Sequence, residues 1–237
     1  MSPSLSQASL ALAVVASAIG SIMAVTPPNK NTDTTPATGD ALRSLKLTSL
    51  PAIITAVAPI GLMALQTTRL ALTYPHFPPS VLGHGAQNGL NPRLFTWSTE
   101  TAVPLALLLC AGIPLRLVAY ASLGKNFTFT LSKPDALNTS GIYRYVQHPS
   151  YTGLLVIAGC VISLFFRSDG PATCWIPPRW FPAVRKLVLT LAPIYVSLMA
   201  WSMSTRIREE EKMLRAEFGA DWEAWHARTA RLVPGIF

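Results

Sequence analysis

The chain has 237 residues, half of them hydrophobic, and only 13% are charged. A soluble domain carries about 25% charged residues, so an ordinary water-facing surface is excluded, and the mean hydropathy of +0.37 points to segments buried in lipid. The formal charge of +8 does not indicate a nucleic-acid binder, because the basic residues lie among loops and helix ends with no stripe interleaved with aromatics; Lys and Arg beside apolar runs instead mark cytoplasmic loops and contacts with anionic membrane lipids.

From the N-terminus, the first apolar run covers 8–25. No Lys or Arg precedes it, so the basic leader region of a signal peptide is missing and a retained span is expected. Residues 26–40 are rich in Pro, Thr and Asn and read as a loop. A second run, 47–72, carries Pro51 and Pro59, which membrane helices tolerate. The connection 74–93 holds His76 and His84, read as solvated side chains rather than a metal pair. A third run, 99–120, holds Pro104 and Pro114 and predicts a kinked span.

Two further runs, 151–166 and 187–203, complete a count of five spans, the fourth extending back to Pro149. Trp175, Trp180 and Phe181, in the connection 167–186, suit an interfacial aromatic belt. Cys110, Cys160 and Cys174 are neither a disulfide framework nor a zinc set by spacing, and no metal site is expected. With five spans, Arg43 and Lys46, then Arg116, Lys125, Lys133 and Arg144, then Arg206, Arg208, Lys212 and Arg215 fall on one side. The positive-inside rule makes that side cytoplasmic, against Arg167, Arg179, Arg185 and Lys186 opposite. The fold class expected is an all-α integral membrane protein of about five transmembrane helices.

Past Trp201 the last span runs on as an amphipathic helix, with Ile207, Met213, Leu214 and Phe218 at helical spacing and Gly219 as a C-cap. Arg206 and Glu210 are four residues apart and share a face. The cluster begins where an apolar span ends, close to low dielectric, where a carboxylate is costly unless used or paired. The stretch 141–153 reads as a polar turn, an aromatic-basic patch and a His-Pro that opens a helix. His148 has the chemical potential there; as an isolated residue it reads equally as a helix cap.

Taken together, Gly141-x-Tyr143-Arg144-Tyr145-x-x-His148-Pro149-x-Tyr151-x-Gly153, then Arg206-x-x-x-Glu210, Phe218-Gly219-x-x-Trp222 and Pro234-Gly235, resemble the isoprenylcysteine carboxyl methyltransferase family over 123–237. The resemblance implies an endoplasmic reticulum membrane enzyme that esterifies the C-terminal carboxylate of prenylated cysteines with S-adenosylmethionine, with its catalytic half facing the cytoplasm. It implies a division into 1–120, three spans and their loops, and a catalytic half, 121–237. It makes His148, Pro149, Ser150, Tyr151 and Tyr143 cofactor-binding, with Asp135, Ala136, Leu137, Asn138 and Thr130 in nearby contacting loops. Glu210 would hold the cofactor and Arg206 the substrate carboxylate, as the catalytic pair, with Glu209 a neighbour. No strand followed by Gly-x-Gly-x-x-Gly is present, in keeping with a cofactor pocket outside a Rossmann fold.

That chemistry suits these residue types. A carboxylate with a pKa near ~3.5 is already ionised at neutral pH, so no strong base is needed. The demand is alignment of nucleophile, methyl and leaving sulfur. Arg206 would fork onto the carboxylate, and tyrosines would wall the pocket of a sulfonium. Gln147 stands where many family members carry Arg, and Arg144 is expected to compensate for the lost charge. The alternatives are methyl transfer to a phospholipid amine or another small lipophile, a sterol reductase-like protein, and a non-catalytic scaffold.

Overall fold

The structure, a computed structural model, describes residues 3–28, 50–124, 127 and 134–235. Among them there is no strand. Helix α1 spans Leu5–Val25, α2 Leu50–Thr73, α3 Thr99–Leu107, α4 Ile113–Leu123, α5 Pro149–Phe165 and α6 Phe181–His226, with single helical turns between. Four helical stretches are long and apolar enough to cross a membrane: α1, 51–73 within α2, Thr99–Leu123 and α6. The apolar α5, of 17 residues, is about 25 Å long, the short end of a spanning helix.

Helix α1 begins with a capping box, Ser4 accepting from the Gln7 amide while the Gln7 side chain accepts from the Ser4 amide. Gln7 also donates to the Leu72 carbonyl at 3.4 Å and to the Tyr74 carbonyl, so the start of α1 lies at the end of α2 and the two run antiparallel. The face α1 buries carries Ala11, Val14, Ser17, Ala18 and Ser21. Such small side chains let membrane helices approach closely where no hydrophobic force pulls them together.

The expected kink in the third span is a π-turn, Leu108–Gly112, which joins α3 to α4. It lies just ahead of Pro114, which has no N–H to give the helix ladder, and the wider turn absorbs that loss without breaking the span. Gly112 also lets α5 in. A Cβ on Gly153 would stand 2.9 Å from the Gly112 carbonyl oxygen and 3.0 Å from the Arg116 backbone nitrogen. Gly153→Ala is therefore expected to destabilise the protein by about 1–3 kcal/mol, because backbone must move; thermal unfolding in detergent measures it.

At the end of the bundle away from the site, Asn91 donates to Glu100 at 3.0 Å and to Asp169 at 3.1 Å. Arg167 forks onto Asp169 at 2.8 Å and reaches Glu100 at 3.1 Å. Hydrogen bonds from Arg167 hold the Asp169 carboxyl below the usual range. This network closes the loops that link α2 to α3 and α5 to α6.

Helix α6 runs on without a break from its apolar stretch into the polar tail. None of its 18-residue apolar window is buried against the other helices, and Leu187, Leu191, Ile194 and Leu198 are exposed. Lipid is as apolar as these side chains, so nothing drives them inward. The expected stop at Gly219 is a kink: Gly219 takes φ 51°, and helix resumes to His226. Beyond the spans, Tyr143, Leu214, Trp222 and Trp225 form a second small core, packed by Leu123, Leu137, Ile142, Met213 and Phe218. That core fixes the tail of α6 against the start of α5.

Candidate functional site

The elbow begins at Gly141, whose φ of 58° suits glycine, and continues as the 3-10 turn Gly141–Arg144. His148 stands at the N-cap of α5 and Pro149 in its first turn, where the missing N–H costs nothing. The C-terminal segment straps this elbow. Val146 pairs in parallel with Ala230, the Gln147 amide donates to the Ala230 carbonyl at 2.8 Å and the His148 amide to the Arg231 carbonyl at 3.0 Å. Thr152 Oγ1 donates to the Leu232 carbonyl at 2.6 Å, and Trp225 Nε1 to the Tyr143 carbonyl at 2.9 Å.

Gln147 belongs to the strap. Its Nε2 donates to the Thr229 carbonyl and, at 3.3 Å, to the His226 carbonyl, while its Oε1 accepts from His226 Nδ1 at 2.8 Å. An amide offers both a donor and an acceptor, whereas a guanidinium offers donors alone. The local partners therefore select Gln here. Gln147→Arg is expected to cost about 1–2 kcal/mol through the lost acceptor, read as a lowered thermal midpoint. Arg144 is exposed on the turn.

The polar centre joins elbow and tail. The Tyr151 hydroxyl donates to Glu210 Oε2 at 3.0 Å and also hydrogen-bonds Arg206. His148 lies edge-on to Tyr151, with ring centroids 5.6 Å apart. His148 Nε2 is 3.3 Å from Glu211 Oε1; a carboxylate can only accept, so Nε2 carries the hydrogen. His148 Nδ1 is buried, lies 3.9 Å from Glu210 Oε1 and has no hydrogen-bond partner among the described residues. Glu211 is braced by Arg231, with Nε at 3.0 Å and Nη2 at 3.1 Å. Burial first, and the Glu210 charge second, push the Tyr143 phenol up, so it stays neutral.

Of the residues singled out in the sequence, Tyr143, His148, Pro149, Ser150, Tyr151, Arg206 and Glu210 are gathered at this junction. Leu137 packs into the small core beneath it, alongside Tyr143. Asn138 is turned toward Ser122, donating to its carbonyl at 3.2 Å, and accepts from the Ser140 amide. Asp135 and Ala136 are exposed, and Glu209 is half-buried. Thr130, Lys125 and Lys133 lie outside the described residues, as do Arg43 and Lys46. The Ser150 hydroxyl faces Arg116 of α4, 2.7 Å from its Nη1.

Two residues escaped the sequence reading: Glu211 and Arg231. Glu211 is 8% exposed, although the expectation fell on Glu210 and Glu209. A signal existed. Glu211 follows Ile207 by four residues and precedes Leu214 by three, which sets it on the apolar stripe. Arg231 carries no comparable signal, since only the strap brings it there.

A multi-pass helical membrane protein with a polar site where α5 begins and the apolar part of α6 ends is the class that this geometry defines. Residues 105–176 match the isoprenylcysteine carboxyl methyltransferase family. A curated relative, the protein-S-isoprenylcysteine O-methyltransferase of Schizosaccharomyces pombe, is 28% identical over 134 residues, which make up 54% of this chain and 47% of the relative. Over these segments the chain is similar to the isoprenylcysteine carboxyl methyltransferase family. The similarity spans about half the length of that relative. No solved structure matches.

Proposed function

We propose that this protein transfers a methyl group from S-adenosylmethionine to the C-terminal carboxylate of a prenylated cysteine. The observation that carries this reading is one phenol, Tyr151, hydrogen-bonded at once to a buried cation, Arg206, and a half-buried anion, Glu210. An anionic nucleophile and a cationic donor need such a pair side by side.

The residues present fit the cofactor. Glu210 offers negative charge, two tyrosines stand close to it, and the buried His148 Nδ1 is left for a ligand group. S-adenosylmethionine, when bound, supplies an electrophilic methyl on a cationic sulfur. His148, Tyr143, Tyr151 and Glu210 would hold it, with Pro149, Ser150 and the segment Asp135, Ala136, Leu137 and Asn138 shaping the walls and Thr130 completing the contacts.

Arg206 would take the substrate carboxylate through a fork of N–H groups. It must orient the carboxylate without over-stabilising it, since only interactions stronger in the transition state raise the rate. Tyr151, by linking Arg206 to Glu210, would fix the angle between the two binding halves. The 121–237 half would do the chemistry and the 1–120 half would form the membrane body. A prenyl chain gains about 0.8 kcal/mol per buried CH₂, so the substrate would already lie in the bilayer. The site would face the cytoplasm at the endoplasmic reticulum.

The test is methyl transfer by the purified protein in detergent, with labelled S-adenosylmethionine offered against N-acetyl-farnesylcysteine and phosphatidylethanolamine. A base-labile methyl ester on the prenylcysteine is expected. Label on phosphatidylethanolamine alone, or no binding of S-adenosylhomocysteine by calorimetry, overturns the reading.

A further inference from the structure

Arg116 is the buried cation that the proposed chemistry does not use. It is 5% exposed, on α4 inside the third span. An ionisable group in such a place is expensive to keep and asks for a function. Its Nε donates to the Ala24 carbonyl at 2.5 Å, and its Nη1 donates to Ser150 Oγ at 2.7 Å and the Ser150 carbonyl at 3.0 Å. The Tyr120 hydroxyl donates to the same Ala24 carbonyl, and the Arg116 guanidinium sits over the Tyr120 ring, 5.1 Å from its centre.

The two ends of this bridge differ in kind. Ala24 is in the last turn of α1, whose carbonyls have no helical N–H to accept from, and a cation there matches the negative end of the helix. Ser150 is in the first turn of α5, where the same cation opposes the positive end of the helix. A contact made against the dipole persists because the Ser150 hydroxyl and carbonyl both accept. The residue held in this way is the neighbour of Tyr151, whose hydroxyl links Arg206 to Glu210. Gly153, one turn on, fits against the Arg116 backbone with no room for a side chain, so the first turn of α5 cannot slide along α4.

We infer that Arg116 is a positioning residue of the site: anchored on the end of α1, it sets the first turn of α5 through Ser150, and so the Tyr151 hydroxyl between Arg206 and Glu210. This rests on the methyltransferase reading above. The first span is thereby wired to the reaction centre.

The experiment compares the wild type with Arg116→Gln, Arg116→Lys, Ser150→Ala, Tyr151→Phe and the double variant Arg116→Gln/Tyr151→Phe, in detergent, with kcat, KM and the thermal midpoint measured for each. Misplacement by about 1 Å costs on the order of a hundredfold. Arg116→Gln is expected to lower kcat on the order of 10- to 100-fold, with KM for the prenylcysteine little changed and Arg116→Lys recovering part of the loss. In the Tyr151→Phe background the Arg116→Gln change should add little, because coupled residues do not add.

Should Arg116→Gln fail to fold, Ser150→Ala carries the test, since it removes only a hydroxyl: lower kcat with the fold intact supports the inference. Full activity in Ser150→Ala and Arg116→Gln overturns it, and so do losses that multiply in the double variant, as a purely structural strut would give. A wild type without transfer overturns the proposed function and this inference with it. A wild type with transfer and an unaltered Arg116→Gln overturns this inference alone.

Discussion

Arg206→Ala is expected to leave on the order of 0.1–1% of wild-type kcat/KM. Truncating one member of a buried, hydrogen-bonded charge pair costs about 2–5 kcal/mol, and each 1.36 kcal/mol is tenfold in rate. Arg206 is 8% exposed, so water cannot replace its N–H groups. The loss should appear mainly with the prenylcysteine, as raised KM and lowered kcat together, while S-adenosylhomocysteine still binds. Arg206→Lys keeps the charge but loses the fork, and should fall between. Wild-type kinetics in Arg206→Ala would remove this residue from the site.

Glu211→Ala is expected to be the second large effect, and it separates two carboxylates that the sequence could not rank. Glu211 holds His148 Nε2 at 3.3 Å and is held by Arg231 at 3.0 Å. Removing it leaves the buried imidazole without its acceptor, a desolvation penalty of about 1–3 kcal/mol. The imidazole is then free to turn away from the ligand side. Both the thermal midpoint and S-adenosylhomocysteine affinity should fall, with activity down on the order of a hundredfold.

Glu210→Ala makes the contrast. The Glu210 side chain is 30% exposed, and its main described partner is the Tyr151 hydroxyl. Its loss should weaken the ligand and spare the fold. Equal thermal midpoints for Glu211→Ala and wild type would show that Glu211 does not brace the fold.

The spans were legible because a bilayer imposes a length and a hydropathy that any sequence must meet locally. The runs 8–25, 99–120 and 151–166 reappear as Leu5–Val25, Thr99–Leu123 and Pro149–Phe165 with small shifts at their ends. His148 at a helix N-cap followed by Pro149 was equally legible, since capping chemistry is local. What escaped was rotation and distance. Gln147 looked like a charge lost from the site, yet its amide is matched to Thr229 and His226, about eighty residues away in the chain.

Composition and pattern alone therefore determined a helical membrane protein, the place of its elbow and the tail that answers it. Local free energies suffice for that: apolar side chains seek lipid, and proline seeks a first turn. Only the tertiary structure decided which of three adjacent glutamates turns inward, that Arg231 braces it, and that the end of α1 is tied to Ser150 through Arg116. Those choices depend on how one helix is rotated against another, a quantity set by packing across the whole bundle and written in no single stretch of sequence.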